Sequence, residues 1–385
     1  MKLLLYDMGA FTQNDIMFAL DRMGVAYESV LYKLKDIQSD GYFEKRIREI
    51  IKNDCFDAVF SVNYFPVLAR LCNDMKIKYI AWSYDSPLRE KDLEDTIGLP
   101  YNYVFLFDRE ECRKWNCKGY QNVYHLPLAA NVDRLDAVQI TADDEKKYAC
   151  DMSMVGQLYE SVLPDLLSFA DEYSKGYISA LIEAQLKLYG CYLFDEVVTD
   201  ELTERMNKAF DTIPGNPIRL ETDALRVHIA KEVTNLERSI LLDEMSVGHK
   251  LHLYSSNKGQ LSENVKWKGS AGYFDEMPKI FKLSKINLNI SLKCIQSGIP
   301  LRALDILASG GFLLSNYQPE LAEYFTDGED LVMYYSLEDA LAKCEYYLSH
   351  EEERLTIARN GREKVKALFG YENRLKEILA MAELL

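Results

Sequence analysis

No uninterrupted apolar run in this chain approaches the ~18 to 20 residues needed to cross a bilayer. The apolar start, Leu3-Leu4-Leu5-Tyr6, breaks at Asp7, short of the ~7 to 15 residues of a signal peptide's core. It reads as a first β-strand, and a cytoplasmic protein without a transmembrane segment is expected. Cysteine pairs at CxxC spacing are missing too. The eight cysteines are scattered, and none of the five histidines stands at zinc-ligand spacing. No metal is expected, and the thiols suit a reducing compartment. Basic charge is scarce: 45 Lys and Arg face 61 Asp and Glu, a net charge of -16. That speaks against a nucleic-acid partner, which wants a basic face, and against an anionic lipid surface. There is no GxGxxG run, so no nicotinamide cofactor is indicated. Short-period repeats and low-complexity linkers are also absent.

What is present is length and alternation. With 385 residues, 48% hydrophobic and 28% charged, the chain is comfortable as two α/β domains. Short apolar runs at Lys2–Tyr6, Tyr27–Tyr32, Ala58–Val62, Lys78–Trp82, Tyr103–Phe107 and Val123–Leu126 alternate with helical patterns. This is the signature of a parallel sheet covered by helices. The polar, acidic stretch Asn131–Lys147 reads as a domain boundary, and Asp151–Gly156 opens a second sheet. Residues 160–245 read largely as helix, with apolar stripes Leu163, Leu166, Leu167, Ala170 and Leu236, Ile240, Leu241. Strands resume at Leu251–Tyr254, Ile286–Ile290, Gly311–Leu314 and Leu331–Tyr335. The tail from Glu338 is helical, with a break near Phe369–Tyr371. The expected domains are 1–147, then 148–370 with the helical insertion, then a closing helix over 371–385.

In open parallel sheets, ligands bind beyond the carboxyl ends of the strands, so the turns after strands carry the argument. Gly9 and Asn14 flank the first strand-to-helix turn, where backbone N–H groups can meet an acceptor or a phosphate. Asp85, in Trp82-Ser83-Tyr84-Asp85-Ser86-Pro87, sits where a general base would sit, or else holds the turn. Asp108 repeats the pattern and reads as a helix N-cap. His125 ends the last strand of the first domain, as a packed residue or a second candidate base. Gly156 opens the next domain with a turn able to admit a phosphate.

The richest stretch runs from Ser291 to Phe312. A polar loop with Lys293, Ser297 and Gly298 leads to Pro300, which suits the first turn of a helix. Arg302 and Asp305 share one face of that helix. Lys293, Arg302 and the helix start form an anion site in an acidic protein. Asp305 can accept both hydroxyls of a ribose, and Gly310-Gly311 ends the helix.

The run KIFKLSKINLNISLKCIQSGIPLRALDILASGGFLLSNYQPELAEYF resembles the C-terminal half of the CgeB-like glycosyltransferases, which have the GT-B fold. The runs YIAWSYDSPL, VFLFDREE, VYHLPLAANVD and DMSMVGQLYE are similar to that family's N-terminal domain and junction. The resemblance implies two Rossmann-like domains facing across a cleft. It implies metal-independent transfer from a UDP-, GDP- or dTDP-sugar to a protein or cell-surface glycan, with no cofactor. In retaining GT-B enzymes two glutamates eight residues apart flank the donor. The second, which holds the ribose, is matched by Asp305; the first, which faces the sugar, falls on Ser297 and departs from the pattern. Such enzymes often close with a helix crossing back to the N-terminal domain, as 371–385 would. Two same-fold alternatives stand beside transfer: a non-catalytic nucleotide-sugar binder, which would show affinity without donor hydrolysis, and an epimerase, which needs no acceptor. A two-domain solute receptor would be exported, and the start of the chain gives it no support.

Overall fold

The computed structural model describes residues 1–89, 93–213, 215 and 217–385. The chain forms two compact units: Met1–Arg134 with Ser297–Leu304 and Lys364–Leu385, and Leu135–Gln296 with Asp305–Glu363. In chain order the elements begin β1 (Lys2–Asp7), α1 (Thr12–Met23), β2 (Ala26–Leu31), α2 (Gly41–Asn53), β3 (Ala58–Val62) and α3 (Pro66–Met75). Then come β4 (Lys78–Ser83), α4 (Leu93–Ile97), β5 (Asn102–Leu106), α5 (Arg109–Cys117), β6 (Val123–His125) and α6 (Val132–Asp136). Next are α7 (Ala142–Tyr148), β7 (Cys150–Val155), α8 (Leu163–Ser168), α9 (Glu172–Leu186), α10 (Phe194–Val197), α11 (Asp200–Phe210) and α12 (Thr222–Met245). The chain continues through β8 (Leu251–Tyr254), β9 (Lys266–Trp267), α13 (Met277–Leu283), β10 (Ser284–Asn289) and α14 (Leu301–Ala308). It closes with β11 (Leu313–Asn316), α15 (Pro319–Tyr324), β12 (Val332–Tyr334), α16 (Leu337–Ser349), α17 (Glu351–Leu368) and α18 (Tyr371–Met381).

The first unit holds a parallel sheet in the order β2-β1-β3-β4-β5-β6. Its central strands are apolar on both faces because helices cover both: Leu3, Leu4, Leu5, Val59 and Ile80 are fully buried, while the edge strand β2 is largely exposed. The chain leaves β1 to one side for β2 and to the other for β3, so the order reverses between β1 and β3. In the second unit the order is β12-β11-β10-β7-β8-β9, again all parallel, and the reversal lies between β7 and β10. Within the first unit α18 packs on α1, and the Lys78 ammonium donates to the Ala382 carbonyl at 2.7 Å.

The acidic stretch Asn131–Lys147 carries α6 and α7, and the division between the two units falls within it, after Arg134. Thr141 Oγ1 accepts from Asp144 N (3.2 Å), and the Asp144 carboxylate accepts from Thr141 N (3.0 Å), a reciprocal cap that starts α7. Ile240 is 38% exposed, while Val233, Glu237 and Leu241 turn inward, so the apolar stripe of α12 is rotated from the one expected. The strand expected from Gly311 starts at Leu313, because Gly310 and Gly311 still belong to the cap of α14. Gly310 N donates to Leu307 O (2.9 Å) and Gly311 N to Ile306 O (3.0 Å), with Gly310 at φ +77°. The two-residue strand β9 is exposed and had no apolar signal to announce it. No helix among the described residues is long and apolar enough to cross a membrane.

Candidate functional sites at the strand ends

In the first unit the carboxyl ends of β3 and β4 come together through one residue absent from the sequence reading, Asn63. It follows β3 in a left-handed conformation (φ +66°), which Asn tolerates better than most side chains. Its Oδ1 accepts from Ser83 Oγ and Tyr84 N, both at 3.0 Å, and its Nδ2 donates to Asp85 Oδ2 at 2.7 Å. Asn63 thereby fixes the turn after β4 and aims the Asp85 carboxylate. That carboxylate reaches solvent on one side. The protein packed around it still raises its pKa above the ordinary aspartate value, against the lowering effect of the Asn63 amide and Arg89. The Phe11 and Tyr84 rings meet at 6.1 Å, joining the Gly9 turn (φ +86°) to the Asp85 turn. Asn14 is exposed in the first turn of α1. Beside it, Thr12 Oγ1 and Trp82 Nε1 are buried, have no partner among the described residues, and line one recess with Tyr84 and Leu301. His125 is not next to Asp85 in the sheet. It ends β6, the edge strand, with β5 lying between β6 and β4.

The Asp85 turn is also held from below. The Glu111 carboxylate is buried and accepts from Ser86 Oγ (2.6 Å) and Leu88 N (2.7 Å). Asp108 caps α5 as expected, accepting from Glu110 N. Its Oδ1 also takes Ser297 Oγ at 2.8 Å and Ser297 N at 3.2 Å. Ser297 is therefore buried and hydrogen-bonded on both its polar groups. Gly298 follows in close contact: a Cβ there would stand 2.8 Å from the Phe107 carbonyl and 2.9 Å from Asp108 Cα.

In the second unit the crevice between β7 and β10 is crossed by Arg238. Its guanidinium donates to the carbonyls of Gln157 and Ile290 and lies 4.7 Å over the Tyr159 ring, beside Gly156. Lys293 is buried, with its ammonium 2.6 Å from the Glu237 carboxylate. Tyr189 and Tyr334 donate to the same carboxylate at 3.0 and 2.9 Å. The charge of Lys293 is thus already balanced inside the unit, so it has little left for the expected anion site. Asp305 is buried on α14 and accepts from Tyr273 Oη at 3.1 Å, a contact that fixes its orientation. A Cβ on Gly311 would lie 2.7 Å from Asn287 Nδ2, so this glycine serves packing as well as the cap. Among the described residues no group of three or more His, Cys, Asp or Glu could hold a metal ion.

Residues 238–380 match the family model described as glycosyl transferase-like. Among solved structures, HepE of Anabaena, in complex with UDP-glucose, is similar over 100% of both chains at 9% identity, with a TM-score of 0.57. Sucrose-phosphate synthase of Thermosynechococcus elongatus is similar over 100% of this chain and 98% of its own, at 10% identity and a TM-score of 0.58. The fold is GT-B. A glycosyltransferase of Rickettsia africae is similar over 99% of this chain and 97% of its own, at 10% identity and a TM-score of 0.53. No curated protein sequence matches the chain significantly. The glycosyl transferase-like match begins at Arg238 and includes Lys293, Ser297, Gly298, Arg302, Asp305, Gly310 and Gly311.

Two measurements check this geometry. Lys293→Ala strips the buried Glu237 of its counter-charge and should destabilise the protein by ~3 to 5 kcal/mol in urea unfolding; a loss under about 1 kcal/mol would show that Lys293 does not act as a buried pair. Glu111 gives a pH test. Burial, helped by Asp108, raises its pKa from 4.5 to about 7. The native state therefore keeps a proton that the unfolded chain releases, and the stability this contributes is complete below pH 4.5 and lost as pH rises through 7. The loss is ~3 kcal/mol. Glu111→Gln stays neutral, so the wild-type stability relative to this variant should fall across that window. A difference flat in pH would contradict the assignment.

Proposed function

We propose that this chain is a glycosyltransferase that moves a sugar from a nucleoside-diphosphate donor to a hydroxyl on a protein or a cell-surface glycan, without a metal. One observation carries the reading. The glycosyl transferase-like match over 238–380 includes the Ser291–Gly311 loop and helix, in a chain similar from end to end to HepE, whose structure holds UDP-glucose. In this proposal the donor diphosphate lies at the start of α14, where helix N–H groups and Arg302 answer its charge. Asp305, already oriented by Tyr273, takes the ribose hydroxyls and moves no proton. Asp85 receives the acceptor's proton if the anomeric carbon is inverted. Its raised pKa brings it nearer to what a general base needs at neutral pH. His125 is the second candidate for that task. The quoted N-terminal runs support placement near the CgeB-like enzymes.

One observation favours a second reading. Ser297 stands where retaining enzymes carry the sugar-facing carboxylate, and both its hydroxyl and its amide are engaged by Asp108. That suits a nucleotide-sugar-binding protein that kept the fold without the chemistry.

Donor hydrolysis without acceptor separates the two, since only the enzyme releases free sugar. For the enzyme, Asp305→Asn should raise the donor KM roughly tenfold with a smaller fall in kcat, about the effect of one charge-assisted hydrogen bond. The same change should matter little with a 2′,3′-dideoxy donor. Equal losses on both donors would remove Asp305 from ribose binding.

A further inference from the structure

The helical insertion does more than fill space beside the second sheet. Residues 187–193, which link α9 to α10, meet the loops that follow β10 and β11. Together they enclose a recess lined by Tyr189, Cys191, Gln296, Tyr317, Gln318 and Lys293. This lies beyond the carboxyl ends of two parallel strands, where such sheets bind ligands.

The linker is built to hold its shape. The Gln185 side chain, 1% exposed, donates to the carbonyls of Leu188 (3.2 Å) and Cys191 (2.8 Å), and its Oε1 accepts from Leu193 N (3.0 Å). Gly190 sits at φ +71° against the edge of the Tyr317 ring, where any Cβ would meet the ring. The closeness of linker and strand-end loop therefore depends on a glycine at that position.

The lining has the chemistry of a sugar site. Its cation is cancelled, because Lys293 is paired with Glu237 and lies 4.4 Å over the Tyr189 ring. Two amides are held in set orientations: Gln296 Nε2 donates to Asp195 Oδ2 (3.0 Å) and Gln318 Nε2 to the Ile295 carbonyl (3.2 Å). Tyr189 and Tyr317 complete a lining that is mostly polar. Fixed amides and phenol groups with no net cation suit the hydroxyls of a neutral sugar. A sugar acid would meet no uncompensated positive charge among these residues.

Building on the donor reading above, we infer that residues 188–192 of the insertion form a wall of the donor-sugar subsite and select an uncharged hexose. The insertion is then the specificity element of the second unit.

Cys191 is an exposed thiol in this wall and serves as a native reporter. The full chain is treated with iodoacetamide, and alkylation is followed site by site by mass spectrometry. The probes are UDP-glucose, GDP-mannose and dTDP-glucose, each compared with its nucleoside diphosphate. The donor that raises the melting temperature, present at ten times its Kd, should slow alkylation of Cys191 about tenfold, because about one-tenth of the protein remains free. Its nucleoside diphosphate should not, and the exposed Cys55 and Cys117 should react at unchanged rates. Gln318→Ala should raise the Kd of that donor about threefold to tenfold and leave the nucleoside diphosphate's Kd unchanged. Binding of a donor with equal Cys191 rates for donor and nucleoside diphosphate would overturn the subsite while leaving the donor reading intact. If none of the three donors raises the melting temperature, the donor reading and this inference fall together.

Discussion

The strands described here are all parallel, six in each unit, and the central ones are buried on both faces, while the edge strands β2 and β9 meet solvent. That constraint explains most of the architecture. Each central strand must be largely apolar, most crossovers return as a helix, and the helices cover both faces of the sheet's centre. What remains open to variation is the loops at the carboxyl ends of the strands. Where the strand order reverses, between β1 and β3 and between β7 and β10, neighbouring loops part in opposite directions and leave a crevice. Asn63 and the Gly9 turn occupy one reversal; Arg238 and Gly156 occupy the other. The helical insertion leaves the sheet after β7, so a change to a connection has been placed where a ligand would feel it.

The protein's acidity enters the same account. A net charge of -16 opposes an anionic donor in general terms, yet surface charges more than ~8 Å away are largely screened at physiological salt. Local partners decide. Several carboxylates are turned inward as acceptors rather than left to repel: Asp108 takes Ser297, Glu111 takes the Ser86 turn, and Glu237 takes Lys293 with two tyrosines. Each ties a loop at a strand end to a helix, so these acidic side chains hold the loops in place instead of adding to the outward negative field. The Lys293 pair shows the limit of counting cations, since a lysine whose charge is already met inside the fold has little left for a phosphate.

Much of this was legible in the residues. Strands such as Ala58–Val62 and Leu251–Tyr254 declared themselves because burial on both faces favours a largely apolar run. Asp108 as a helix cap and Gly310-Gly311 as a helix end were readable because capping is local chemistry. The failures have physical causes. Thr141 and Asp144 start a helix inside the acidic boundary stretch, where charge rather than an apolar period dominates the sequence. Ile240 fitted an apolar period, but Glu237 took the inward position because Lys293 and two tyrosines satisfy it there. That partnership joins residues 56 apart and leaves no periodic trace. Asn63 had a signal of a kind, an Asn just after a strand, where a left-handed turn is easiest for that side chain. Its hold on Asp85 depends on β3 and β4 being neighbours, which only the fold reveals.

The central claim is the proposal that this chain binds a nucleoside-diphosphate sugar. The most direct measurement is the melting temperature of the full chain across a panel of UDP-, GDP-, dTDP- and CMP-sugars at millimolar concentration. A ligand at a hundred times its Kd stabilises the native state by about 2.7 kcal/mol, so at least one diphosphate-linked sugar should raise the transition clearly, and Arg302→Ala should reduce the rise. If every sugar nucleotide leaves the melting temperature where it stands without ligand, the claim is contradicted.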